Sequence, residues 1–135
     1  MPCLDTNVLI DLGNPNRPGH ALAMAANVRA LAAGEALCTT GFNVAEMLVG
    51  VERAVDRVRA EGSLARAIAK LTILEFDERA AEKFGKIQAY LLKIGRPAGD
   101  MDTLIAAVCL TNAQRIITRN AKHFADVPGL MVESY

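Results

Sequence analysis

Four short segments hold the side chains of this chain whose types and spacing could do chemistry, and three of them present carboxylates. Asp5 closes the apolar run Pro2-Cys3-Leu4 and opens Asp5-Thr6-Asn7. A carboxylate drawn out of water costs several kcal/mol unless a cation or hydrogen-bond donors meet it. The competing duty for Asp5 or Asn7 is to cap the helix that follows. Glu46 lies in Thr40-Gly41-Phe42-Asn43-Val44-Ala45-Glu46, where Asn43 and Glu46 have the spacing of a capping box. A helix wheel sets Glu46 opposite a stripe of Val44, Leu48, Val51 and Val55, on one face with Arg53 and Arg57. That face is either solvated or the wall of a cleft whose arginines could meet phosphates. In Gly99-Asp100-Met101-Asp102-Thr103, Asp100 suits an N-cap, and both acids suit the start of a helix dipole. Asp102 shares a face with Ala106 and Cys109, so its carboxylate is expected to run along apolar surface, where a held acid is a functional-site candidate. Thr118-Arg119-Asn120 follows Ile116-Ile117, and Asn120 could cap a short helix through Phe124 or belong to the same site.

Carboxylates that converge without clustered His or Cys favour a hard cation with oxygen ligands, Mg²⁺ or Mn²⁺ rather than zinc. Acidic clusters holding such ions serve phosphoryl transfer and phosphodiester cleavage, often with two metals. Nucleophilic chemistry is poorly supplied. His20 sits beside a Gly/Pro turn, and neither it nor His123 adjoins a Ser or Cys in a recognised arrangement, so both are read as surface residues. No glycine-rich phosphate loop of the Walker or dinucleotide type is present.

The elements that must position these groups are legible as short apolar runs alternating with helical patterns. Candidate strands are Pro2 to Leu4, Ala36 to Cys38, Leu71 to Leu74, Arg115 to Thr118 and Leu130 to Val132. Between them, Asp11 to Gly19 is a turn-rich break, and Leu22, Ala25, Val28 and Leu31 recur at helical spacing up to a stop at Gly34. Val44 through Val58 reads as one helix with an apolar stripe. Ala80, Phe84, Ile87 and Leu91 form another stripe, closed by Gly95 and Pro97, and Met101 to Leu110 is apolar enough to be buried on most sides. Strands separated by helices imply crossovers and a mainly parallel sheet covered on both faces. In such sheets sites form at the carboxyl ends of the strands, near a switch in strand order. Asp5 and Asn120 are both at such ends.

A length of 135 residues suits one domain. Hydrophobic residues are 52% and charged residues 22%, which is enough to bury a core and excludes a disordered chain. Formal net charge is zero, so bulk charge gives no support to non-specific nucleic-acid binding. Aromatics are 4% with no Trp, against a stacking platform for single strands. Cys3, Cys38 and Cys109 lie in apolar stretches without metal spacing and are expected as buried, reduced thiols. The opening residues lack a basic region and carry Asp5, unlike a signal peptide, and no uncharged apolar run approaches the roughly 20 residues that span a bilayer. A soluble cytoplasmic protein with no membrane partner is the expectation.

The segments Leu4-Asp5-Thr6-Asn7-Val8-Leu9-Ile10, Asn43-Val44-Ala45-Glu46 with Gly50, Asp100-Met101-Asp102-Thr103-Leu104-Ile105-Ala106-Ala107, and Ile117-Thr118-Arg119-Asn120-Ala121-Lys122-His123-Phe124 together resemble PIN-domain ribonucleases. In their order, spacing and total length, with Val127-Pro128-Gly129-Leu130 behind them, they resemble the VapC-type toxins of toxin–antitoxin pairs. The resemblance covers essentially the whole chain. It implies a single α/β PIN-like domain over residues 1–135, with a small mainly parallel sheet of about four or five strands sandwiched between helices. It also implies a Mg²⁺- or Mn²⁺-dependent endoribonuclease, a cognate antitoxin that reaches the acidic cleft with an Arg or Lys, and a homodimer. Residue by residue, Asp5, Glu46 and Asp102 would hold the metal, Asp100 would lie at the site's edge, and Asn120 would take a fourth position often acidic in the family. An amide there would hold a second metal more weakly. Thr6 and Thr118 would orient a carboxylate or water, and Arg53, Arg57 and Arg119 would contact phosphates.

Two other readings compete. A Mg²⁺-dependent phosphatase expects a second Asp where this chain has Asn7, and a topoisomerase-primase domain expects Glu where it has Asp5. A binding module that represses transcription with an antitoxin and cleaves nothing would have no use for a metal at Asp5 and Asp102.

Overall fold

The computed structural model describes residues 1–135. In chain order the elements are β1 (Cys3–Leu4), α1 (Thr6–Gly13), α2 (His20–Ala32), β2 (Cys38–Thr40), α3 (Gly41–Arg53) and α4 (Arg57–Ile68). There follow β3 (Thr72–Leu74), α5 (Glu78–Lys93), α6 (Asp100–Thr111), β4 (Ile116–Thr118), one 3-10 turn (Ala121–His123) and β5 (Val132–Ser134). All four strand pairings are parallel, in the order β3-β2-β1-β4-β5. From β1 the chain first builds outward through β2 to β3, then crosses back to add β4 and β5 on the other side. The switch in direction therefore falls between β1 and β4, where Asp5 and Arg119 leave the sheet.

Alternation along the strands makes two cores. Cys3 and Ile116 face α5 and α6, where they pack with Ile87, Leu91, Ile105, Val108 and Phe124. Leu4 and Ile117 face the opposite side, against Val8 and Leu9 of α1 and Ala23 and Ala26 of α2. The three cysteines are free and buried, as expected, and the Cys3 thiol, in contact with Cys109 and Cys38, is held well above the ordinary thiol range. No helix is long and apolar enough to cross a membrane.

Several local expectations are corrected. The stripe from Val44 to Val58 is not one helix: α3 ends at Arg53, and Asp56 starts α4 by accepting from the Arg59 N–H at 3.0 Å. Val55 in the break and Val58 beyond it are exposed. On α2 the expected stripe is turned outward, with Leu22, Val28 and Leu31 all more than half exposed while Ala23, Ala26 and Ala30 are buried, the first two against Leu4, Val8, Leu9 and Ile117. Small residues let that helix lie close, and the large apolar ones are left at the surface. The strands β2 and β5 begin two residues later than the hydrophobic runs suggest, because Thr39, Thr40 and Ser134 join the ladder through backbone groups. Gly34 and Gly95, at φ 75° and 68°, close α2 and α5 in a conformation that only glycine adopts without strain.

Candidate active site

Asp5 sits where β1 stops and α1 starts, and it is only 6% exposed. It is the N-cap of α1, as one of the sequence readings has it, but capping uses a single lone pair: Oδ1 accepts from the Thr6 N–H at 2.9 Å. Oδ1 also accepts from Asn43 Nδ2 at 3.0 Å, and Oδ2 from the Thr118 hydroxyl at 2.7 Å. Three neutral donors thus fix the carboxylate in orientation without neutralising it. Oδ1 is thereby fully used and Oδ2 keeps one site free, since a carboxylate offers about four lone-pair sites.

Asn43 is the residue whose role the sequence reading misplaced. The capping box of α3 is Thr40 with Asn43, not Asn43 with Glu46. The Asn43 amide is fully buried and fully used: Nδ2 donates to Asp5 and, at 3.0 Å, to the Thr6 hydroxyl, while Oδ1 accepts from the Thr40 hydroxyl at 2.7 Å. One side chain therefore ties the start of α3 to the start of α1. The signal was present as Thr-x-x-Asn, a capping box written with Asn in place of Glu.

With α3 anchored in this way, Glu46 falls one turn beyond Asn43 on the inward side, half-buried, rather than on a solvated face with Arg53 and Arg57. Burial raises its carboxyl above the ordinary Glu range; the nearby Thr6 hydroxyl offsets part of this, and the charges of Asp5 and Asp102 add to it. Asp102, in the first turn of α6, is raised too, first by burial and then by Asp5, against the opposing pull of His123. His123 is not a free surface residue: its Nδ1 lies 3.1 Å from Asp102 Oδ2. Asp5, Glu46 and Asp102 are thus electrostatic neighbours. No three Asp, Glu, His or Cys side chains are drawn around one point.

The remaining candidates fall outside that group. Asp100 is exposed at the first residue of α6 and meets Gln88 Nε2 at 3.4 Å; the N-cap is Gly99. Asn120 makes no capping bond through its side chain, but its N–H donates to the Thr118 hydroxyl at 3.0 Å, which in turn holds Asp5. Arg57 is spent on Glu52 at 2.7 Å, and Arg53 is exposed at the end of α3. Arg119 is bound at 3.2 Å to Asp11, a fully buried carboxylate that the sequence reading left inside a turn-rich break. Asp11 also takes Arg17 at 2.7 Å and the Tyr135 hydroxyl at 2.7 Å, and its carbonyl accepts from His20 Nδ1 at 2.8 Å. A Cβ at Gly19 would collide with the same carboxylate, so the turn closes over it only as glycine.

Comparison with known proteins bears on the fold and the family. The sequence model of the PIN domain matches residues 3–130. The tRNA(fMet)-specific endonuclease VapC of Shigella flexneri is 30% identical over 99 residues, covering 73% of this chain and 75% of the relative. Ribonuclease VapC2 of Rickettsia felis is 24% identical over 132 residues, covering 98% and 96%. Among solved structures, DNA-bound VapBC of Salmonella typhimurium superposes with a TM-score of 0.83 at 27% identity, covering 99% of this chain and 98% of the other. VapBC2 of Rickettsia felis, bound to a DNA fragment from its promoter, gives 0.86 at 22% identity, covering 98% and 97%, a likeness of fold.

Proposed function

The chain belongs to the PIN-domain family, and from that premise we propose that it is a VapC-type toxin: an endoribonuclease that cuts RNA phosphodiester bonds with water, held in check by a cognate antitoxin. The observation that carries this reading is Asp5, a buried carboxylate at the switch point of the sheet, held by three neutral donors with Glu46 and Asp102 beside it. The donor set is all oxygen, and two of its members are short of positive charge, which fits a hard divalent cation, Mg²⁺ or Mn²⁺. Asp5, Glu46 and Asp102 would hold it; when bound, it would neutralise phosphate charge and acidify water.

The chain's own groups supply the rest. Asn43 and Thr118 fix the orientation of the Asp5 carboxylate, and Asn43 also holds the Thr6 hydroxyl beside Glu46. Glu46, with its raised affinity for a proton, is suited to take one from the attacking water. His123 steadies Asp102 from the other side. Attack by water in line with the ribose 3′-oxygen leaves a 5′-phosphate and a 3′-hydroxyl, with no need of the 2′-hydroxyl.

The antitoxin has a place to dock. An apolar groove of about 520 Å³ opens between α1, α2 and the end of α4, with Leu12, Leu31 and Leu37 in its walls and Arg66 at its rim. The outward-turned Leu22 and Val28 lie on the same helix as Leu31. That neighbouring structures are toxin–antitoxin complexes on DNA favours a second role for the assembled pair, repression of its own promoter.

The test is cleavage of a mixed RNA pool, with initiator transfer RNA as the first single substrate because a relative is specific for it. Antitoxin-free protein is assayed in Mg²⁺, Mn²⁺ or EDTA beside Asp102→Asn. Cleavage that requires the cation, leaves 5′-phosphates and disappears in the variant is the expected result. A folded protein that cuts nothing under any cation, and binds none by calorimetry, overturns the nuclease reading and leaves promoter repression.

A further inference from the structure

A second cleft adjoins the acidic centre. It lies between the end of α5, the start of α6 and the 3-10 turn, has a volume of about 500 Å³, and reaches the centre at Asp102. That volume is within the roughly 300–1,000 Å³ of pockets that hold small ligands. Its lining is mixed: Leu91, Pro97, Ala98 and Val127 are apolar, Arg96 and Lys122 form a basic side, and Asp102 and Asp126 add carboxylates.

The basic side has positive charge to spend. Lys122 is exposed and enters no ion pair. Arg96 meets Asp126 at 3.3 Å, but the two side chains are 69% and 41% exposed, and a pair so hydrated is worth little and is readily exchanged for a phosphate. Of the arginines that the sequence marks as phosphate contacts, Arg119 is held by buried Asp11, Arg57 forms an exposed pair with Glu52, and Arg53 is exposed at the end of α3. Arg96 and Lys122 are the cations that line the cleft together with Asp102. His123, already turned toward Asp102, presents an aromatic ring at the junction of cleft and centre.

We infer that this cleft is a nucleotide subsite, which takes one unstacked nucleotide of the RNA strand next to the bond to be cut. The phosphate lies toward Arg96 and Lys122, and the base lies against Pro97 and Ala98 with the His123 ring beside it. Single-stranded RNA is recognised in this manner, by splayed bases on apolar and aromatic surface with the backbone on cations. Selection of the cut position then comes from a pocket that can hold a base, in a protein whose net charge of zero gives no general hold on RNA. The inference rests on the nuclease reading for its ligand.

Two measurements test it separately from that reading. In the first, the full chain is titrated with 5′-AMP, 5′-CMP and inorganic phosphate, followed by amide chemical shifts. The nucleotides are expected to move the amides of Gly99, Lys122 and His123, and combined Arg96→Ala and Lys122→Ala to weaken binding about tenfold. In the second, steady-state cleavage by the same variant is expected to show the loss in KM rather than kcat, while Lys83→Ala, on the far part of α5, matches wild type. Nucleotides that move none of these amides overturn the inference. So does phosphate alone moving them as strongly as a nucleotide, because the apolar wall then contributes nothing. Cation-dependent cleavage with an unchanged KM in the double variant also overturns it and leaves the nuclease reading intact. Nucleotide binding lost in the variant, in a protein that cuts no RNA, sustains the pocket and removes the nuclease reading instead.

Discussion

Thr118→Val isolates the support of the acidic centre, because the exchange removes a hydroxyl and little else. Thr118 is fully buried, donates to Asp5 Oδ2 at 2.7 Å and accepts from the Asn120 N–H at 3.0 Å. A buried bond to a charged acceptor contributes about 1.5–3 kcal/mol. The Asn120 N–H is half-buried and recovers most of its bond from water, so it adds little. At about 2.1 cal/mol/K of unfolding entropy per residue, a chain of 135 residues loses about one degree of Tm for each 0.28 kcal/mol, so the variant should melt about 5–11 °C lower. Released on one side, Asp5 keeps its bonds to Thr6 and Asn43 but can turn about them, and kcat should fall about tenfold at a temperature where the variant is fully folded. Thr118→Ser restores the hydroxyl and should recover both quantities. The assay is thermal denaturation by circular dichroism beside single-turnover RNA cleavage. A Val variant that melts within about one degree of wild type and cuts at the wild-type rate would refute the claim that Thr118 holds Asp5.

Three further outcomes follow from the same geometry. Glu46 binds its proton more tightly in the fold than in the unfolded chain, so its charged form is penalised: the penalty is absent below the unfolded value of about 4.3 and complete above the folded one. Glu46→Gln should therefore raise Tm at pH 7–8 in EDTA, lose that gain near pH 4, and abolish cleavage; denaturation across pH checks it, and a variant less stable at pH 8 contradicts it. Mg²⁺ at ten times a site Kd stabilises the fold by about 1.4 kcal/mol, or about 5 °C, and Asp102→Asn should erase that shift. Tyr135→Phe removes a 2.7 Å bond to buried Asp11 and should cost about 1.5–3 kcal/mol, read by urea denaturation.

Much of the fold could be read from residue order because periodicity reports it directly. Apolar runs at the five strand positions, separated by helical spacing, leave few arrangements besides a parallel sheet with a switch point, and Asp5 falls beside that switch. What periodicity does not carry is which face of an apolar helix turns inward. On α2 the alanines, not Leu22, Val28 and Leu31, fit against the sheet, and only the depth of helix-on-sheet packing decides between them. The centre shows the same division. Acids mark themselves by type, so Asp5, Glu46 and Asp102 were visible; the neutral groups that position them look like caps and turns. Asn43 and Thr118 acquire their roles from partners 38 and 113 residues away, which no local pattern encodes. Asp11 was hidden for the same reason, since Arg17, Arg119 and Tyr135 meet only in three dimensions.

Asp11 has a consequence for the centre that can be worked through. Burial is the largest influence on its carboxyl and raises it, yet the bonds from Arg17 and Tyr135 and the charges of Arg119 and Arg17 together outweigh it, so the group titrates below the ordinary Asp range. It is anionic at neutral pH, and its contribution to stability is present above the unfolded value of about 3.9 and lost as pH falls through the folded one. Breaking a buried pair costs about 3–5 kcal/mol; here Arg17 and Arg119 keep 33% and 37% exposure and rehydrate, so the lower end applies to Asp11→Asn. Arg119 follows Thr118, whose hydroxyl holds Asp5. While Asp11 binds that guanidinium, Asp5 and Glu46 have no arginine or lysine partner and stay open to a cation; in the Asn variant Arg119 is free to turn toward them and compete. Asp11→Asn should therefore melt about 10 °C lower at pH 7, with the gap closing only in strong acid, and should need several-fold more Mg²⁺ to reach half of its stabilisation. A variant that melts lower but responds to Mg²⁺ at wild-type concentrations would show that Asp11 serves the fold alone.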